Sequence, residues 1–78
     1  MSVKDLFEYI ARNLVDAPDE VRVDEIPEGH ETVLELHVAA ADLGKVIGRQ
    51  GRTARALRTL LAAAAGRKQA RAVLEIVE

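Results

Sequence analysis

Val3, Leu6, Phe7, Ile10 and Leu14 recur at intervals of three and four residues, until Asp16-Ala17-Pro18 stops the pattern. That spacing predicts one amphipathic helix over 3–15. Ser2, with Asp5 three residues on, reads as the capping pair at its start. The period then changes from 3.6 to 2. Val21 and Val23 alternate with polar neighbours, and so do Leu34, Leu36 and Val38 around Glu35 and His37. With Pro27-Glu28-Gly29 as a turn between them, the two runs predict a β-hairpin. Glu25-Ile26 breaks the alternation, so a bulge or an early strand end is expected there.

A short helical stretch is expected over 40–47, with Asp42 near its first turn, where an acid suits the helix dipole. Gly48-Arg49-Gln50-Gly51 interrupts it. Beyond this break Ala54, Leu57, Leu61 and Ala64 share a face, Arg52, Arg55 and Thr59 lie roughly opposite, and Gly66 follows as a C-cap. A long helix over 52–65 results. Ala72 to Val77 is apolar and β-branched enough for a last strand. The order is αββααβ. The hairpin strands must be antiparallel, and the helical crossover from 33–38 to 72–77 is right-handed and parallel, which makes the middle strand central. The expected fold class is α+β: a three-stranded mixed sheet with three helices packed on one face.

Seventy-eight residues suffice for one domain, 1–78, whose stability comes from packing, because the chain has no cysteine. No apolar run approaches the ~20 residues of a membrane span, so a soluble, cytoplasmic protein is expected. Charge adds what the net value of −2 conceals. Residues 1–42 carry 3 basic and 11 acidic side chains, and residues 43–78 carry 8 basic and 2 acidic ones. The halves therefore stand at −8 and +6, and between Leu43 and Leu74 there is no acid at all. Segregation of this kind points to an anionic partner for the second half.

One glycine between two helices is ordinary turn punctuation, but the chain places two of its five glycines three residues apart. Gly51 directly precedes the long helix, whose free N–H groups and positive dipole end suit a phosphate. Gly51 is accordingly assigned to close approach of a sugar-phosphate backbone. Arg49 and Arg52, with Lys45 and Arg55 nearby, supply the charge.

VIGRQGRTARAL, residues 46–57, resembles the VIGxxGxxIxxI signature of KH domains, whose GxxG loop clamps about four nucleotides of a single strand. The αββααβ order resembles the type II arrangement. Over essentially its whole length the chain is similar to the small stand-alone bacterial KH-domain RNA-binding proteins of the KhpA type. Ala54 and Arg55 depart from the bulkier apolar residues that many KH domains carry at those places. The resemblance implies single-stranded RNA as ligand, held by Lys45, Val46, Ile47, Gly48, Arg49, Gln50, Gly51, Arg52 and Arg55. It also implies a homodimer, or a heterodimer with a Jag-type KH protein. An RNA chaperone or post-transcriptional regulator linked to cell envelope and division is the implied role. Beside the loop, Val46 and Ile47 with Leu36 and Val38 are candidates for an apolar base groove. Leu60 and Ala62–Ala65 make the long helix a candidate interface.

Catalysis has little support. The only serine is explained as a cap, and His30 in a turn and His37 on a strand have no plausible triad or zinc set around them, so no metal or cofactor is expected. The glycine pattern follows a helix, where a P-loop or dinucleotide fingerprint follows a strand. Two other classes compete. A helix-turn-helix could present 52–65 to a major groove, although Arg52, Arg55 and Arg58 come without the Asn or Gln that reads adenine. A protein-only assembly module could pair the basic half of one copy with the acidic half of another.

Overall fold

The computed structural model describes residues 2–66 and 71–78, so that Arg67 and Lys68 of the basic half lie outside the described residues. Helix α1 spans Val3–Leu14, and its first turn is closed by the Asp5 amide, which donates to Ser2 Oγ at 3.0 Å. Strands β1 (Arg22–Glu28) and β2 (Glu31–His37) form the hairpin. Helix α2 (Leu43–Ile47) and helix α3 (Arg52–Ala65) lead to β3 (Arg71–Ile76). β1 pairs with β2 antiparallel and β2 with β3 in parallel, which puts β2 at the centre as the connection lengths require. Gly66, at φ 74°, ends α3.

The hairpin is tighter than its sequence suggests. Pro27 and Glu28 belong to β1, and only Gly29 and His30 form the turn, with Gly29 at φ 61°. Pro27 is tolerated because β1 is an edge strand. The expected bulge at Glu25-Ile26 is absent: pairing runs unbroken from Arg22 opposite His37 to Glu28 opposite Glu31. The alternation simply continues through an unfavourable pair of residues. Glu25 takes the helix side at the rim of the sheet, beside a cavity of about 250 Å³ also lined by Val3 and Leu61, where its carboxylate stays exposed. Ile26 turns to the open side, in one cross-strand row with Val33 and Val73.

The core lies between the sheet and the helices, built on Phe7, Val23, Leu36, Val46 and Leu61, each less than 3% exposed. Phe7 fills it from α1, whereas Tyr9, one turn face away, is 60% exposed. Glu8 on α1 also accepts a bond of 3.4 Å from the Val23 amide, which occupies one of the free donors of the β1 edge. Among the described residues no helix is long and apolar enough to cross a membrane.

Candidate nucleic-acid interface

Between α2 and α3 the chain turns through residues 48–51 with three left-handed residues: Gly48 at φ 76°, Gln50 at 58° and Gly51 at 73°. The Gly48 amide closes α2 onto the Gly44 carbonyl at 2.8 Å, and the Gly51 amide returns to the Gly48 carbonyl at 3.1 Å. Each glycine has its own reason. At Gly48 the ψ of 169° takes the backbone to a region essentially reserved for glycine, and a Cβ there would meet the Thr53 side chain and lie 2.8 Å from the Thr53 amide nitrogen. At Gly51 a Cβ would meet nothing within 4 Å. The assignment of Gly51 to ligand approach alone is corrected here, because its left-handed φ, with ψ 16°, is also a turn requirement. Gln50 occupies the same region without glycine's freedom, a cost that the surrounding turn must offset.

α3 begins without a side-chain cap and without an acid in its first turn. The Arg52 amide donates to the Arg49 carbonyl, but the N–H groups that follow it have no side-chain cap, and the positive end of the dipole faces the loop with no acid to offset it. Arg49 and Gln50 project outward and are exposed, as is Arg52. Two guanidinium groups brace the turn. Arg55 donates from Nη2 to the Gln50 carbonyl at 2.9 Å, and Arg52 from Nη2 to Gln50 Oε1 at 3.4 Å. Arg55 thus stabilises the strained residue and still has donors to spare.

Lys45 stands differently from the arginines. Its Nζ lies 3.1 Å from Asp16 Oδ2 and 3.7 Å from Asp42 Oδ1, and Asp42 itself is only 2% exposed. Asp42 does not cap α2. Its carboxylate reaches back across the fold, where Oδ1 accepts from the Asp16 amide at 3.2 Å and Oδ2 from the Ala17 amide at 3.0 Å. This clamp ties the segment after α1 to the helix that enters the GxxG loop. Burial pushes the Asp42 carboxyl up, yet the two backbone donors and the Lys45 ammonium outweigh it and hold the group below its ordinary value of 3.8. Lys45 is raised, first by its hydrogen bond to Asp16 and then by that carboxylate's charge.

A carboxyl with a depressed folded pKa contributes stability that is present above its unfolded value and lost as pH falls through the folded one. The protein is therefore expected to lose stability as pH drops below about 3.8, and Asp42→Asn to flatten that part of the profile while lowering the melting temperature at neutral pH. Thermal melts from pH 2 to 7 measure both.

A family model described as KhpA/KhpB, KH domain, matches residues 4–76. The chain belongs to this family. Among its relatives, the RNA-binding protein KhpA of Aquifex aeolicus is 56% identical over 78 residues, covering 99% of this chain and 98% of that one. The proteins of the same name from Treponema pallidum (53% over 75 residues; 96% and 94% covered) and Clostridium acetobutylicum (52% over 75; 96% and 100%) are similarly close. No solved structure matches the chain.

For a KH domain of this family, the structure sorts the residues singled out in the sequence. Gly48, Arg49, Gln50, Gly51, Arg52 and Arg55 converge on the loop and the start of α3. Val46 does not join them: at 0% exposure it belongs to the core, as does Leu36 at 1%. Ile47 and Val38 are half-buried and keep an apolar edge. Ala54 is also buried, on the core side of α3. Missed in the sequence was the clamp of Asp42, whose only signal was an acid at the mouth of a short helix, where the helix dipole was the nearer explanation.

Proposed function

We propose that this KH domain, spanning residues 1–78, binds single-stranded RNA without catalysing a reaction, by seating the sugar-phosphate backbone on the 48–51 loop. The observation that carries the reading is the uncapped, acid-free N-terminus of α3 set behind two bare glycines and flanked by exposed Arg49 and Arg52. Backbone donors and guanidinium groups on one turn suit phosphates. The name RNA-binding protein KhpA, carried by relatives near 50% identity, supports the same ligand. Such a surface reads shape and backbone more than sequence, and the two aromatics of the chain, Phe7 and Tyr9, both lie on α1, so base stacking contributes little.

The resemblance extends the proposal to a cytoplasmic, post-transcriptional role and to self-association or pairing with a Jag-type KH protein, which would raise affinity by multivalency. Leu60, 40% exposed on α3 beside exposed Ala63 and Ala64, is where such a contact is best placed.

Titration with a short single-stranded RNA, in competition with single- and double-stranded DNA of the same sequence, tests the function. Single strands are expected to compete and the duplex is not. Preference for the duplex would favour a helix-turn-helix reading, and no binding would leave a protein-only module. With about three phosphate contacts, from Arg49, Arg52 and a Lys45 drawn off Asp16, log K should fall against log salt with a slope near −2 at roughly −0.7 per contact. A flat profile excludes phosphate contacts of this kind.

A further inference from the structure

The register of the hairpin assembles a cluster that sequence spacing disguises. Asp24 and Glu35 are direct cross-strand partners, and His37 stands two residues beyond Glu35 on β2, so all three project from the sheet face opposite the helices. His37 Nε2 lies 3.2 Å from Asp24 Oδ2 and 3.6 Å from Glu35 Oε1. The ring nitrogen is almost wholly shielded from solvent, yet neither approach has hydrogen-bond geometry, and it has no partner. A shielded ring nitrogen that lies within 4 Å of two carboxylate oxygens and is hydrogen-bonded to neither is an expensive arrangement unless something completes it.

We propose that Asp24, Glu35 and His37 form a binding site for a divalent transition-metal cation, with Zn²⁺ as the best-fitting ion. The three ligand atoms lie within 4.8 Å of one another. A zinc ion bonded at about 2.0–2.1 Å to tetrahedral N and O ligands holds them roughly 3.4 Å apart. The two observed separations from Nε2 bracket that edge, and side-chain rotation closes the third. One imidazole with two carboxylates leaves a coordination position for water and favours zinc over the all-oxygen preference of Mg²⁺.

Charge gives a second, independent reason. Arg22 Nε lies 3.2 Å from Asp24 Oδ2, but Glu75 faces Glu35 across the β2–β3 pair, so three carboxylates meet one guanidinium. Like charges opposite one another on a sheet are destabilising, and a cation at Nε2 would relieve them. Arg22, on a largely exposed side chain, would remain as an outer partner orienting the Asp24 carboxylate.

The test is calorimetric titration of the full chain with Zn²⁺ and, separately, with Mg²⁺, followed by melting with and without zinc. One zinc per chain, a perturbed His37 ring resonance and a higher melting temperature are expected, because an ion bound only by the folded state stabilises it. His37→Ala and Glu35→Gln, each checked for folding by circular dichroism, should weaken zinc by at least about tenfold and abolish the melting shift. His30→Ala, altering the exposed turn, should change neither. Zinc binding that survives His37→Ala, that disappears in His30→Ala, or that is matched by Mg²⁺ overturns the site, as does a parent protein that takes up no zinc.

Discussion

Replacing Arg49 and Gln50 together by aspartate is expected to abolish binding of single-stranded RNA and to leave the melting temperature within a few degrees of the parent. Both side chains are exposed and contribute nothing to the core, so their loss removes no packing. The backbone should accept the change, since position 50 sits at φ 58°, a region in which aspartate is commoner than glutamine. The electrostatic effect is larger than the loss of one guanidinium. Two carboxylates would stand where phosphates are to lie, and the one at position 50 would attract Arg52, which already reaches toward Gln50 Oε1. A swing of three charges at the loop, two at position 49 and one at position 50, removes the attraction on which backbone binding depends. Fluorescence anisotropy with a labelled oligonucleotide, on a sample whose fold is verified by circular dichroism, decides the matter: parent-like affinity would place the RNA site elsewhere.

Gly48→Ala is expected to cost about 3 kcal/mol of stability, and Gly51→Ala about 1 kcal/mol. Against the roughly 4–12 kcal/mol available to a domain of this length, the first is a large fraction. The difference follows from geometry. Alanine at 48 would need φ 76° with ψ 169° and would also drive its methyl group into Thr53, at the first turn of α3, so that either the helix start or the turn must shift. Alanine at 51 meets no atom and suffers only the left-handed penalty. Binding should follow the opposite order among the folded molecules. A methyl group at 51 stands before the free amides of α3, and we expect RNA affinity to fall at least tenfold in Gly51→Ala. Urea unfolding and RNA titration on the same samples separate the two effects. Equal destabilisation by both substitutions, with parent-like RNA affinity in Gly51→Ala, would reduce both glycines to turn residues.

Much of this molecule was determined by neighbours in sequence. The apolar spacing from Val3 to Leu14 and from Ala54 to Leu61 marks helices, because residues three and four apart share a face whatever they pack against. The central place of β2 followed from the lengths of the connections, and the GRQG loop from residue types at fixed spacing before a helix start. The tertiary structure alone decided what depends on residues far apart. Asp42 serves amides 25 and 26 positions away instead of its own helix. Lys45 is held by Asp16, so a cation counted for the ligand is shared with the fold. Val46, adjacent to the loop in sequence, is turned into the core by α2. The side taken by Glu25 and Ile26, and the meeting of Asp24, Glu35 and His37, were settled by strand register, in which a shift of one residue would exchange the two faces of the sheet. Periodicity reveals which residues of one element share a face. Which faces meet, and which charges are brought within 4 Å, is decided only when chain closure sets the elements against one another.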